Sequence, residues 1–98
     1  MRLQIYSIHF DADVKLQEFI EKKVHKLETF FDNIIEGEVY LRLEKGENTQ
    51  ENKAVEIKLF LPGTTLFAKD HSTTFEAAAD EAVESMRRQI KKYKEKLS

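Results

Sequence analysis

Arg87, Arg88, Lys91, Lys92, Lys94 and Lys96 all fall within "RRQIKKYKEK", where Glu95 is the only acid. Guanidinium and ammonium groups at this density neutralise anions, and phosphates are the anions most often presented in rows. A smaller group, Lys22, Lys23 and Lys26, lies in "EKKVHK". The whole chain nevertheless has a formal charge of −2, so any argument for a polyanionic partner depends on where the charge sits. Other chemistries lack their residues. There is no cysteine, hence neither a disulfide framework nor a thiolate nucleophile. His9, His25 and His71 have no metal-pair spacing. Ser7, Ser72, Ser85 and Ser98 lack the setting of a nucleophile elbow. Gly37, Gly46 and Gly63 are the only glycines and build no phosphate-cradling loop. The carboxylates fall on faces expected to be wet, without the burial or coupling that tunes an acid–base pair. The expectation is a protein that is not an enzyme, with no catalytic residue, metal, cofactor or small-molecule substrate.

A plainer account of the basic run must be weighed against phosphate binding. Acids early and bases late in a helix complement its dipole. Glu84 also stands three residues before Arg87 and four before Arg88, where side chains pair. But one or two bases satisfy a dipole, and these bases occupy two flanks: Arg87, Lys91 and Lys94 on one, Arg88 and Lys92 on the other. From the residues alone, polyanion binding and a solvated helix face both stay open.

The elements that must position these groups follow from periodicity. "LQIYSIHF" (3–10) alternates as a strand, with a change of phase that predicts a bend or bulge near Ser7. Asp13 is the expected N-cap of a first helix. Leu16, Phe19, Ile20, Val24, Leu27 and Phe31 form its apolar stripe. Lys15, Lys22 and Lys26 share one flank of that helix, and Glu21 and Glu28 the other. Lys23 falls within the stripe, either snorkelling over the core or emerging in a groove beside the second helix. Residues 38–45 and 54–61 alternate, with Val39, Leu41, Leu43, Val55, Ile57, Leu59 and Leu61 facing in. "GENTQEN" reads as a polar hairpin connection, Pro62-Gly63 as a turn and "TLFAK" as a short further strand. Thr73 and Glu76 have capping-box spacing. From there Phe75, Ala78, Ala79, Ala82, Met86, Ile90, Tyr93 and Leu97 stripe one long helix to residue 97. Tyr93 on that stripe reads as core, and Tyr6 and Tyr40 as residues of the outer sheet face.

The resulting order is β-α-β-β-β-α. It predicts an α+β fold, a four-stranded sheet with two helices packed on one face, formed by residues 1–98 as one domain. The first two strands are expected to be parallel neighbours, because a helix joins them. The chain has 98 residues, 41% hydrophobic and 35% charged, enough for one two-layer core. No apolar run approaches the ~20 residues of a membrane span, and no signal peptide is visible. The expected setting is the cytoplasm, with no membrane partner.

Three stretches, "FIEKKVHKLETFFDNI", "VYLRLEK" and "FEAAADEAVESMRRQIKKYKEK", resemble the ribosome hibernation-promoting factors. This family is also called ribosome-associated translation inhibitors and, in older usage, sigma-54 modulation proteins. The resemblance runs from about Leu3 to Leu97. It implies the same β-α-β-β-β-α fold. It also implies binding to the small ribosomal subunit (16S rRNA) and the 70S ribosome, in the channel of messenger and transfer RNA. There such a protein stops translation in stationary phase or stress. Carried over position by position, the RNA-facing residues are Lys22, Lys23, Lys26, Arg87, Arg88, Lys91, Lys92 and Lys94.

The chain also departs from the family pattern. A Thr-Gly-Arg common in the first strand is Tyr6-Ser7-Ile8 here, which removes an arginine contact; His9 is a partial substitute. A tyrosine at the start of the last helix is Phe75, and an aspartate two positions earlier is Thr73. In length the chain resembles the family's short form, and the free protein's oligomeric state is open. A general double-stranded-RNA module is disfavoured, since its last helix would begin with lysines where this chain has "FEAAADEA". A protein-interaction role in transcription is the remaining alternative, with the acidic stretch "IEGEVYLRLEKGENTQEN" as its surface.

Overall fold

A computed structural model describes residues 1–44 and 50–97. Among them the chain forms β1 (Arg2–Ile8), α1 (Val14–His25), a 3-10 turn (Lys26–Thr29), β2 (Glu36–Leu43), β3 (Lys53–Leu61), β4 (Thr64–Ser72) and α2 (Phe75–Leu97). The strands lie in the order β1-β2-β3-β4. β1 and β2 are parallel, as a helical crossover requires; the other pairs are antiparallel. The fold is therefore the α+β, β-α-β-β-β-α arrangement read from the sequence.

Alternation puts Val39, Leu41, Val55, Ile57, Leu59 and Leu61 on the covered face, all buried. Ile20, Val24 and Leu27 from the first helical segment meet them, with Ala78, Ala79, Ala82, Met86 and Ile90 from α2. The alanines of α2 put little bulk between helix and sheet, so its first half sits close. The Asp13 carboxylate accepts from the Leu16 amide at 2.8 Å, capping α1 as expected.

Several expectations are corrected. No bulge interrupts β1, which stays in register with β2 through Ile8. Ile8 continues the alternation onto the face of Tyr6, and the chain bends after it at His9, whose φ of 66° is left-handed, so that Phe10 stacks on Phe75 at 5.0 Å. The α2 cap is Thr74, not Thr73: its hydroxyl accepts from the Ala77 amide at 3.0 Å, so Glu76 is one position out of capping-box register. α1 does not run to Phe31; it tightens into the 3-10 turn after His25. Leu43 is 51% exposed, opposite Lys53 at the end of the β2–β3 ladder. Leu97 is also exposed, because a helix of 23 residues spans about 35 Å and outruns the core beyond Tyr93. β4 is longer than predicted. The polar connection over 46–52, and Lys45 at the end of the predicted second strand, lie largely outside the described residues.

The Glu28 carboxylate accepts from the N-terminal ammonium at 2.6 Å and approaches His25 Nδ1 at 3.1 Å. These contacts, the ammonium's first, hold it below the usual glutamate range. Lys69 and His71 hold Glu44 down in the same way. A depressed carboxylate stabilises the fold above its unfolded pKa, near pH 4, and the contribution is lost as pH falls through the lowered value. The melting temperature should therefore fall on acidification below about pH 4.5. Glu28→Gln should melt lower than wild type at neutral pH, with the gap closing in acid; thermal melts across pH check both.

Candidate nucleic-acid interface

α1 lies with one flank toward β1 and the other toward α2. Glu28, just beyond its end, reaches the N-terminus ahead of β1. On the opposite flank Lys23 crosses to Asp80 of α2 at 3.0 Å, its ammonium 5.5 Å from the centre of the Phe19 ring. Lys23 thus occupies a groove beside the second helix, but as half of an ion pair. Helical spacing puts Lys22 and Lys26 farther out on this same flank, and both are exposed.

The two flanks of α2 face different neighbours. Arg87 lies over the Phe30 ring at 5.8 Å, and the Lys94 ammonium donates to the Phe30 carbonyl at 2.8 Å. Lys91 joins them around a cavity beside Phe30. The other flank faces β4. There Arg88 donates to the Ser85 hydroxyl at 3.2 Å, which donates to Asp70 at 3.1 Å. Lys92 borders a depression with Thr64 and Leu66. Of the eight sequence-predicted residues, Lys23, Arg87, Lys91 and Lys94 thus line the seam between the helical segments, with Lys22 and Lys26 on its α1 side. Lys92 stands across α2, and Arg88, though bonded toward β4, borders one depression with Lys23 and Asp80.

Acids temper this surface in a way that spacing only partly signals. The guanidinium of Arg87 is held by Glu84, which raises the arginine's pKa and lowers the glutamate's. That pair was readable at i, i+3; the Lys23–Asp80 pair was not. Lys22, Lys26, Lys91 and Lys92 are exposed and carry no hydrogen bond or ion pair among the described residues. An anion can engage them without displacing any partner, and it can engage Lys94 and Arg88 by displacing only a carbonyl and a hydroxyl.

The outer sheet face is electrostatically different. Tyr6 and Tyr40 stack at 5.2 Å, with Arg42 and Lys58 over the Tyr40 ring. Glu56 lies near both Arg42 and Lys69, and Glu44 takes Lys69 and His71. The Tyr40 hydroxyl donates to Glu38, which raises its pKa. Arg42, Lys69 and His71 there are matched by nearby carboxylates. Tyr93, read as core, packs against it with Phe31 edge-on at 5.6 Å. Phe30 is the feature that sequence reasoning missed; the Phe30-Phe31 doublet at the end of the helical pattern was its signal. Among the described residues no three His, Asp or Glu side chains converge as metal ligands, and no helix is long and apolar enough to cross a membrane.

These observations define a class, a small α+β domain with both helices on one face of its sheet and, among the described residues, exposed lysines without an ion pair on the helical side, including Lys22, Lys26, Lys91 and Lys92. The chain belongs to the sigma 54 modulation protein / S30EA ribosomal protein family, whose model matches residues 3–98. It is 31% identical over 97 residues to the ribosome hibernation promoting factor of Escherichia coli, covering 99% of this chain and 97% of that one. It is 28% identical over 95 residues to the ribosome hibernation promotion factor of Deinococcus radiodurans, covering 94% of this chain but only 50% of that relative. Among solved structures, a ribosomal subunit interface protein from Coxiella burnetii superposes with a TM-score of 0.84 at 26% identity, over 96% of this chain and 98% of that one.

Proposed function

We propose that this protein is a ribosome hibernation factor. Residues 1–98 act as a ribosome-binding domain that engages 16S rRNA of the small subunit, alone or within the 70S ribosome, in the cytoplasm. Seated in the decoding region, it blocks the path of messenger and transfer RNA and stops translation in stationary phase or stress. The mechanism is steric and needs no bond-making. Lysines neutralise backbone phosphates, and the shape of the RNA cleft selects the site. The observation that carries this reading is the set of unpaired lysines, Lys22, Lys26, Lys91 and Lys92, exposed on the two helical segments of a chain whose family includes named hibernation factors.

The test is co-sedimentation with small subunits and 70S ribosomes in sucrose gradients over a range of salt. Each phosphate neutralised contributes roughly −0.7 to −0.9 to the slope of log affinity against log salt. Those four lysines alone should give a slope of about −3. Binding that is flat with salt, or absent at low salt, overturns the proposal.

A further inference from the structure

Phe30 follows the 3-10 turn and is 42% exposed as a residue, although Arg87 lies over the ring. It lines a cavity of about 460 Å³ with Arg87, Ile90, Lys91, Lys94 and Glu95, a volume within the range of small-ligand sites. Three cations and one acid, Glu95, line the cavity, and Glu84 holds the Arg87 guanidinium from outside the lining. Lys91 is the one cation of the three without a hydrogen bond or ion pair among the described residues. Beyond Phe30 the surface changes sign: Glu28 and Asp32 border a second depression there, and their carboxylates repel phosphate. Lys94 borders both depressions, but the carboxylates lie on the far side of the ring and the cations gather on the α2 side. Phosphate alone would need the cations but no exposed aromatic ring. An apolar ligand would need the ring but not three cations.

We propose that this cavity takes one unpaired nucleotide, its base stacked against Phe30 and its phosphate held by Lys91 with Arg87 and Lys94. Stacking on an aromatic side chain is sequence-tolerant, because every base has a π-face. The inference rests on the RNA-binding reading above and adds to it a contact with a base. The nucleotide belongs to a single-stranded stretch of RNA or is free in solution; the chemistry is shared and the test separates the two sources.

The chain contains no tryptophan, so Phe30→Trp installs a single fluorescent reporter in the cavity. It is titrated with hexa-adenylate, an abasic ribose-phosphate strand of equal length, AMP and inorganic phosphate. Hexa-adenylate should quench the tryptophan to saturation. The abasic strand should leave it unquenched and bind at least about fivefold more weakly, the low end of one base stack. Quenching by AMP as tight as by the hexamer identifies a free nucleotide; a much weaker AMP response identifies a strand. Phe30→Leu, which keeps an apolar side chain but no ring, should bind hexa-adenylate at least about fivefold more weakly than wild type. Equal affinity and equal fluorescence response for base-bearing and abasic strands would overturn the inference, as would wild-type affinity in Phe30→Leu. Ribosome sedimentation of the wild-type protein judges the functional reading separately. Ribosome binding with no base dependence removes only the cavity's role, whereas failure of the wild type to sediment removes the ribosomal reading.

Discussion

The Lys22→Glu, Lys26→Glu, Lys91→Glu variant should no longer sediment with small subunits at a salt concentration where the wild-type protein does so quantitatively. A hydrogen bond to a charged group contributes about 1.5–3 kcal/mol. Three lost contacts therefore remove at least about 4.5 kcal/mol, or roughly a thousandfold in affinity. Each reversal also turns an attraction to phosphate into a repulsion, which enlarges the loss. The fold should survive, since all three side chains are exposed and make no hydrogen bond or ion pair among the described residues. An unchanged thermal melt checks that point. A second variant, Arg88→Glu, Lys92→Glu, probes the flank facing β4. If only the first loses binding, RNA lies along the seam; equal losses would mean that it lies across the whole outer surface of α2. Glu21→Lys is the proper control for the acidic flank and should change little. Glu28 is unsuitable because it anchors the N-terminus. A first variant that still sediments like wild type would remove the seam from consideration.

How much of this was readable in the sequence depended on the range over which each signal acts. Strand alternation in "EVYLRL" and "AVEIKLFL" succeeded because burial on one face imposes a period of two, and the observed core repeats it except at Leu43, where the ladder ends. The Asp13 cap was readable because it needs only the residues that follow it. The α2 cap was not: Thr73 and Thr74 are chemically equal, and the stack of Phe75 on Phe10 joins elements far apart in the chain. β1 misled for a different reason, since an apolar residue on the face of Tyr6, Ile8, leaves the same mark on an alternation pattern as a bulge. At the interface, composition located both groups of bases and the wheel placed them on flanks. It did not reveal which cations were already paired. Lys23 with Asp80, 57 positions on in the sequence, is a product of helix packing. Phe30 escaped notice because its exposure follows from the helix tightening into a 3-10 turn, which a uniform 100° projection does not contain.

Met86→Ala should lower the melting temperature by roughly 10 °C or more, while leaving the salt slope of RNA binding unchanged. Met86 is fully buried beneath α2 where its basic half begins. Truncating such a side chain costs about 2–5 kcal/mol in transfer and cavity terms. For a domain of this size each kcal/mol corresponds to about 4–8 °C. Total stability is typically about 5–15 kcal/mol, so the variant should remain folded near room temperature. The slope counts phosphates neutralised, and that number depends on surface lysines that the substitution does not touch. The charge reversals should do the opposite, flattening the slope at an unchanged melting temperature. The two kinds of variant thus test whether the core acts only to hold the helices in place and the surface cations only to bind. A melt shift that brought a changed slope with it, measured well below the transition, would mean that packing under α2 sets which lysines reach the RNA.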